Sequence, residues 1–160
     1  MIGTSADYTG RKVDLEIFQT ENPPALLKEL SLTMTSGNVS RKVAGIQKLV
    51  QRYMLTFFTA QGTVPLRPDY GASFMQAVAL GLMQSRTAIV QYFSFANVEV
   101  AQQLKFQDQT IEGEALPDDE KFARAYLMDY AVDSTSARLY LKVKLESLAG
   151  DAFTFVLPVK

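Results

Sequence analysis

The chain has 160 residues, and hydrophobic residues make up 48% against 21% charged. That balance is globular, so it excludes wholesale disorder and fits one domain with a modest appendage. Histidine and cysteine are both zero, which removes Ser-His-Asp and Cys-His catalysis, disulfides and Cys-ligated metal sites. Net charge is −1, but its distribution is uneven. From Leu30 to Val98, Arg41, Lys42, Lys48, Arg52, Arg67 and Arg86 face a single acid, Asp69, leaving +5 there and −6 over the rest.

The amino terminus shows no basic segment leading into an apolar one, so no secretory signal is read there. The longest apolar run, Ala72 to Met83, is broken by Ser73 and Gln76 and falls short of the roughly 20 residues a membrane span needs. The expectation is a soluble protein kept in a cytosol, with no membrane partner.

In chain order, Val13, Leu15 and Ile17 alternate with polar residues, as do Leu30, Leu32 and Met34. Period-2 alternation predicts two half-buried strands. Asn22-Pro23-Pro24 breaks the chain between them, and a β hairpin is the simplest arrangement. A turn cluster at Ser36–Ser40 precedes a helix expected over roughly Arg41–Thr59, with Val43, Ile46, Val50, Tyr53, Met54 and Phe57 on its apolar side. Arg41, Lys48 and Arg52 share another side and read as a solvated face. They carry no interleaved aromatics, which argues against a nucleic-acid partner.

Gln61 to Gly71 holds Gly62, Pro65, Pro68 and Gly71 and excludes regular helix. Gly71 suits a positive φ or a close backbone approach. A second helix is expected from Ser73. Ser85 is placed to cap a third, bearing Ile89, Phe93, Ala96, Val100 and Leu104. Glu112, Glu114, Asp118, Asp119 and Glu120 follow beside Gly113 and Pro117, and read as an exposed acidic loop without EF-hand spacing.

Leu139, Leu141, Val143 and Leu145 then alternate with polar residues, including Lys142 and Lys144, a clear strand signal. Phe122–Val132 is its expected partner across the turn at Asp133–Ser136, with a helix starting at Asp118 as the competitor. A last strand is expected over Phe153–Val159. The fold class is therefore α+β: an N-terminal β hairpin, about three central helices and C-terminal antiparallel strands.

The segment Ile46 to Leu82, and within it Gly62-Thr-Val-Pro-Leu-Arg-Pro-Asp-Tyr-Gly71, resembles the gene-25-like baseplate protein family of contractile-tailed bacteriophages, the sheath initiators. Arg67, Pro68, Tyr70 and Gly71 match the family pattern in order and spacing. The resemblance divides the chain into an N-terminal β extension (1–38) and a family domain (39–160). The Glu-Pro-Arg tripeptide that many members carry near the end of the third helix is not in this sequence.

The resemblance implies a structural role in the virion, in a six-fold ring of the tail baseplate assembled in the host cytoplasm. Baseplate wedge proteins, tube or hub proteins and the tail sheath protein are the implied partners. Arg67, Pro68, Tyr70 and Gly71 are the candidate wedge-contact loop, although bracing of the Pro65–Gly71 loop is the role the residues favour for Arg67. Leu139, Leu141, Lys142, Val143, Lys144 and Leu145 are the candidate strand to which a sheath strand adds, since regular alternation suits β-augmentation; an ordinary internal strand of the sheet, which the residues alone favour, shows the same alternation.

No catalytic residue, metal site or cofactor is assigned. One alternative is a carboxylate-based, lysozyme-like peptidoglycan hydrolase using Glu99, Glu112 or Glu114, which requires two carboxyl groups about 5–9.5 Å apart. Another is a tail-tube or tail-completion protein, a class expected to be β-rich throughout.

Overall fold

The computed structural model describes residues 42–110, 116–135 and 137–159, and the backbone of three short strands before them. Those strands are β1 (Asp14–Leu15), β2 (Gln19–Thr20) and β3 (Leu30–Ser31). β2 pairs with β3, and β1 pairs with β4 (Lys42–Val43), both antiparallel. The expected N-terminal hairpin, with its alternating Val13–Ile17 and Leu30–Thr35 runs, otherwise lies outside the described residues.

Helix α1 spans Ile46–Phe58, later than the sequence suggests. Lys42–Val43 is extended and Gly45 has φ 62, a left-handed turn that glycine tolerates and that sets the helix start. Helix α2 is short, Phe74–Ala79, and α3 runs from Arg86 to Thr110. Ser85 caps α3 as expected, its Oγ accepting the Ala88 N–H at 3.1 Å.

Strands β5 (Phe122–Asp133), β6 (Arg138–Ser147) and β7 (Ala152–Val159) form an antiparallel sheet in the order β5-β6-β7. The competing helix from Asp118 does not form. Period-2 burial decides the matter: Leu139, Leu141, Val143 and Leu145 of β6 and Phe155, Leu157 and Val159 of β7 all turn inward. They meet Leu49, Tyr53 and Phe57 of α1 and Phe93, Val100 and Leu104 of α3 in one core. Helices cover one face of the sheet, which is the α+β architecture.

Tyr53 lies at the centre. Its ring stacks on Phe57 and Phe122 and meets Phe155 edge-on. Its hydroxyl donates to Asn97 Oδ1 at 2.9 Å, and Asn97 donates onward to the Ala125 carbonyl. Full burial pushes the phenol well above its ordinary range, so it stays a neutral donor. Among the described residues no helix is long and apolar enough to cross a membrane.

Two readings of the sequence are corrected. β6 is the middle strand: Leu139–Glu146 pair with β7, and Arg138–Ser147 pair with β5. Its backbone groups are engaged on both sides. Leu139, Leu141, Lys142, Val143, Lys144 and Leu145 therefore do not form the open edge that strand addition requires.

Glu120 is not a solvated loop residue. It is 1% exposed, its Oε2 lies 3.0 Å from Lys48 Nζ, and its Oε1 accepts the Gly45 N–H at 3.1 Å. Nor are Lys48 and Arg52 a solvated face. Arg52 pairs with Asp108 at 2.8 Å and donates to the Glu120 carbonyl, and Asp108 accepts the Phe122 N–H. Part of the basic middle and part of the acidic flank neutralise each other inside the molecule.

Breaking a buried pair from one side strands the other charge. Lys48→Met alone is expected to cost about 3–5 kcal/mol. Adding Glu120→Gln, which keeps an acceptor for the Gly45 amide, returns most of that. Urea unfolding of the single and double variants checks it, and a near-neutral Lys48→Met contradicts the assigned coupling.

Candidate functional site

The loop from Thr59 to Ser73 joins α1 to α2 and carries the Arg67-Pro68-Asp69-Tyr70-Gly71 motif. Its backbone turns back on itself through Thr63 N–H to Ala60, Arg67 N–H to Val64 and Tyr70 N–H to Arg67. Prolines at 65 and 68 supply no donor and fix φ near −65°, so three successive turns are the regular option open to it.

The loop closes where its two ends meet. Ala60 and Ala72 form a parallel bridge, with Ala72 N–H donating to the Thr59 carbonyl at 2.8 Å. Gly71 makes this closure possible. Its φ is +106, and a Cβ there would stand 2.3 Å from the Thr59 oxygen. Both suggestions from the sequence, the positive φ and the close approach, apply at this residue. Gln103 of α3 clasps the same glycine from the other side: the Gly71 N–H donates to its Oε1 at 2.9 Å, and its Nε2 donates to the Gly71 carbonyl at 2.6 Å.

Glu99 fixes Ser73, two residues further on. Its Oε2 accepts both the Ser73 N–H and the Ser73 hydroxyl at 2.8 Å. This ties the start of α2 to α3 through one oxygen of the carboxylate considered for hydrolysis. Glu112 and Glu114 lie outside the described residues.

The other motif residues sit on the surface. The Arg67 guanidinium lies 4.8 Å from the centroid of the Tyr70 ring, a cation–π contact. Tyr70 is half-buried, and its hydroxyl lies 3.3 Å from the Thr56 hydroxyl. Arg67, Pro68 and Asp69 are exposed. Together with Gln102 and Phe106 of α3 they border a groove of about 480 Å³. The motif thus separates into a buried hinge, Gly71, and an outward set, Arg67, Pro68 and Tyr70. Sequence reasoning missed Gln103 and the structural role of Glu99, because a helix and a distant loop give no shared periodic signal.

The second candidate element is the sheet. Among the described residues, β5 has no neighbour on its outer side. It is irregular, with register shifts between Phe122 and Arg124 and between Leu127 and Asp129. At the second shift Asp129 Oδ1 accepts the Tyr130 N–H at 2.8 Å, so that amide turns away from β6. Tyr126, Met128 and Val132 of β5 are exposed. On the neighbouring outward face, Glu146 accepts hydrogen bonds from Lys144 and Arg124, which hold its carboxyl below the usual carboxylate range. The other edge strand, β7, contains Pro158, and the backbone of β3 lies against it. Comparison with known families, curated proteins and solved structures gives no match.

The hinge gives a direct test. Gly71→Ala combines the disfavoured φ with a backbone clash and is expected to cost at least about 2 kcal/mol. Gly62→Ala has the φ penalty alone, since nothing stands within 4 Å of a Cβ there, and is expected to cost about 1 kcal/mol. Thermal unfolding of the two variants checks the ranking, and equal losses contradict it.

Proposed function

We propose that the chain is a structural part of a contractile tail baseplate and starts sheath assembly by accepting a strand from the tail sheath protein. The reading rests on the motif Arg67, Pro68, Tyr70 and Gly71 and on one structural observation: β5 is a twelve-residue edge strand, without an outer neighbour among the described residues, on a sheet backed by helices. An incoming strand gains affinity from main-chain hydrogen bonds, and side-chain alternation sets its register. Rigid backing lowers the ordering cost of that step.

β5 suits this better than β7, where Pro158 lacks an N–H and β3 lies alongside. The bulges and the Asp129 carboxylate on the Tyr130 amide blunt the β5 edge against indiscriminate pairing. The exposed loop around Arg67, with Gln102 and Phe106 of α3, is the matching surface for a wedge protein. Repetition of the subunit around a six-fold baseplate would present a ring of such edges, on which sheath subunits start in register.

Strand geometry supplies the test. Amide directions alternate along a strand. With the Tyr130 N–H turned outward, the Val132 N–H also points outward and the Ala131 N–H points to β6. Val132→Pro is expected to leave stability within about 1 kcal/mol of the parent, because it removes no ladder bond. Ala131→Pro is expected to cost about 3 kcal/mol. Particles carrying Val132→Pro should assemble baseplates and tubes but no sheath, as seen by electron microscopy. Normal sheath growth on such particles contradicts the assignment.

A further inference from the structure

α3 buries one apolar face and exposes large apolar side chains on the other. Ile89, Phe93, Ala96, Val100 and Leu104 are buried, whereas Phe95, Val98 and Phe106 recur at helical spacing on the opposite side and are 63%, 56% and 62% exposed. From Thr87 to Leu104 the helix carries one charge, Glu99, and that carboxylate is committed to Ser73. The outer face is therefore uncharged over several turns, with Phe95, Val98 and Phe106 exposed among Gln91, Ser94 and Gln102, and interface centres are likewise depleted of charge and enriched in aromatics.

Gln102 and Phe106 continue this face into the groove beside the motif loop. Leu66, at the groove's far side, is wholly exposed and has φ 67. A bulky side chain rarely adopts that backbone region, so the loop holds an apolar group out in water at a conformational cost. Two residues of opposite charge, Arg67 and Asp69, border the same groove. Neither is ion-paired among the described residues, Arg67 resting on the Tyr70 ring.

In a two-fold contact a patch meets its own copy. A patch carrying a free cation and a free anion two residues apart, an apolar knob and a groove is complementary to itself in charge and in shape. We propose that the Leu66–Tyr70 loop and the outer face of α3 form a two-fold interface with a second copy of this chain. Leu66 of each copy enters the groove of the other, and Arg67 pairs with the partner's Asp69. Lys105, at the edge of the same helix face, stays at the solvated rim.

The surface is the one assigned above to wedge contact, so the pair is the form of the free chain. It shields an apolar face until a wedge protein displaces it. Strand addition at β5 does not depend on it: a chain that starts sheath but never pairs refutes the pair alone.

Sedimentation equilibrium of the purified full-length chain, from about 1 to 200 µM, reads the association directly. The parent should pair within that range. Arg67→Glu and Asp69→Arg, each alone, bring like charges together and should weaken pairing at least about tenfold. The double variant Arg67→Glu/Asp69→Arg restores the complementarity in reversed sense and should recover to within about threefold of the parent. Leu66→Gly suits the positive φ, so it should unfold at no lower temperature while pairing at least about tenfold more weakly. A parent that stays monomeric throughout overturns the proposal and assigns the face to a different protein. A double variant that pairs no better than the single ones overturns it too.

Discussion

The buried carboxylate of Glu120 is the contact on which the arrangement of helices and sheet depends. It meets the Lys48 ammonium and the Gly45 amide at the start of α1, while its own carbonyl receives Arg52. Arg52 in turn holds Asp108 near the end of α3, and Asp108 takes the first amide of β5. Three elements distant in sequence are thus fixed at one corner by charges removed from water. Such a network is stable only while every member is paired. It therefore specifies a relative placement of α1, α3 and β5 that apolar packing alone, being non-directional, would leave looser.

From that corner the helix layer carries two different tasks. Its inner side, Tyr53, Phe57, Phe93 and Val100, backs the sheet. Its outer side, through Gln103 and Glu99, anchors the motif loop at Gly71 and Ser73. α3 is shared by both, so the loop and the sheet are held by one rigid body of buried side chains.

Much of the fold was readable from periodicity. The alternation of Leu139, Leu141, Val143 and Leu145 marks β6, the stripe through Val50, Tyr53 and Phe57 marks α1, and Ser85 marks the start of α3. Gly71 was readable as a residue that must lack a Cβ. What periodicity does not encode is who sits beside whom. Alternation is the same for a central and an edge strand, so it does not tell that both sides of β6 are filled. An acidic cluster reads as solvated until a specific cation, here Lys48, is found 72 positions upstream of Glu120. Gln103 is invisible in the same way: a polar residue on a helix announces no partner until the loop that it clasps is in place.

The sheet, backed by helices, is proposed to be extended at β5. A reconstruction of the assembled baseplate with its first sheath ring tests this most directly. Extension at β5 predicts a fourth strand, contributed by a sheath subunit and hydrogen-bonded along the outer side of Tyr126–Val132, with the Val132 amide donating to it. A sheath subunit that contacts the chain elsewhere, with the β5 edge facing solvent, would contradict it.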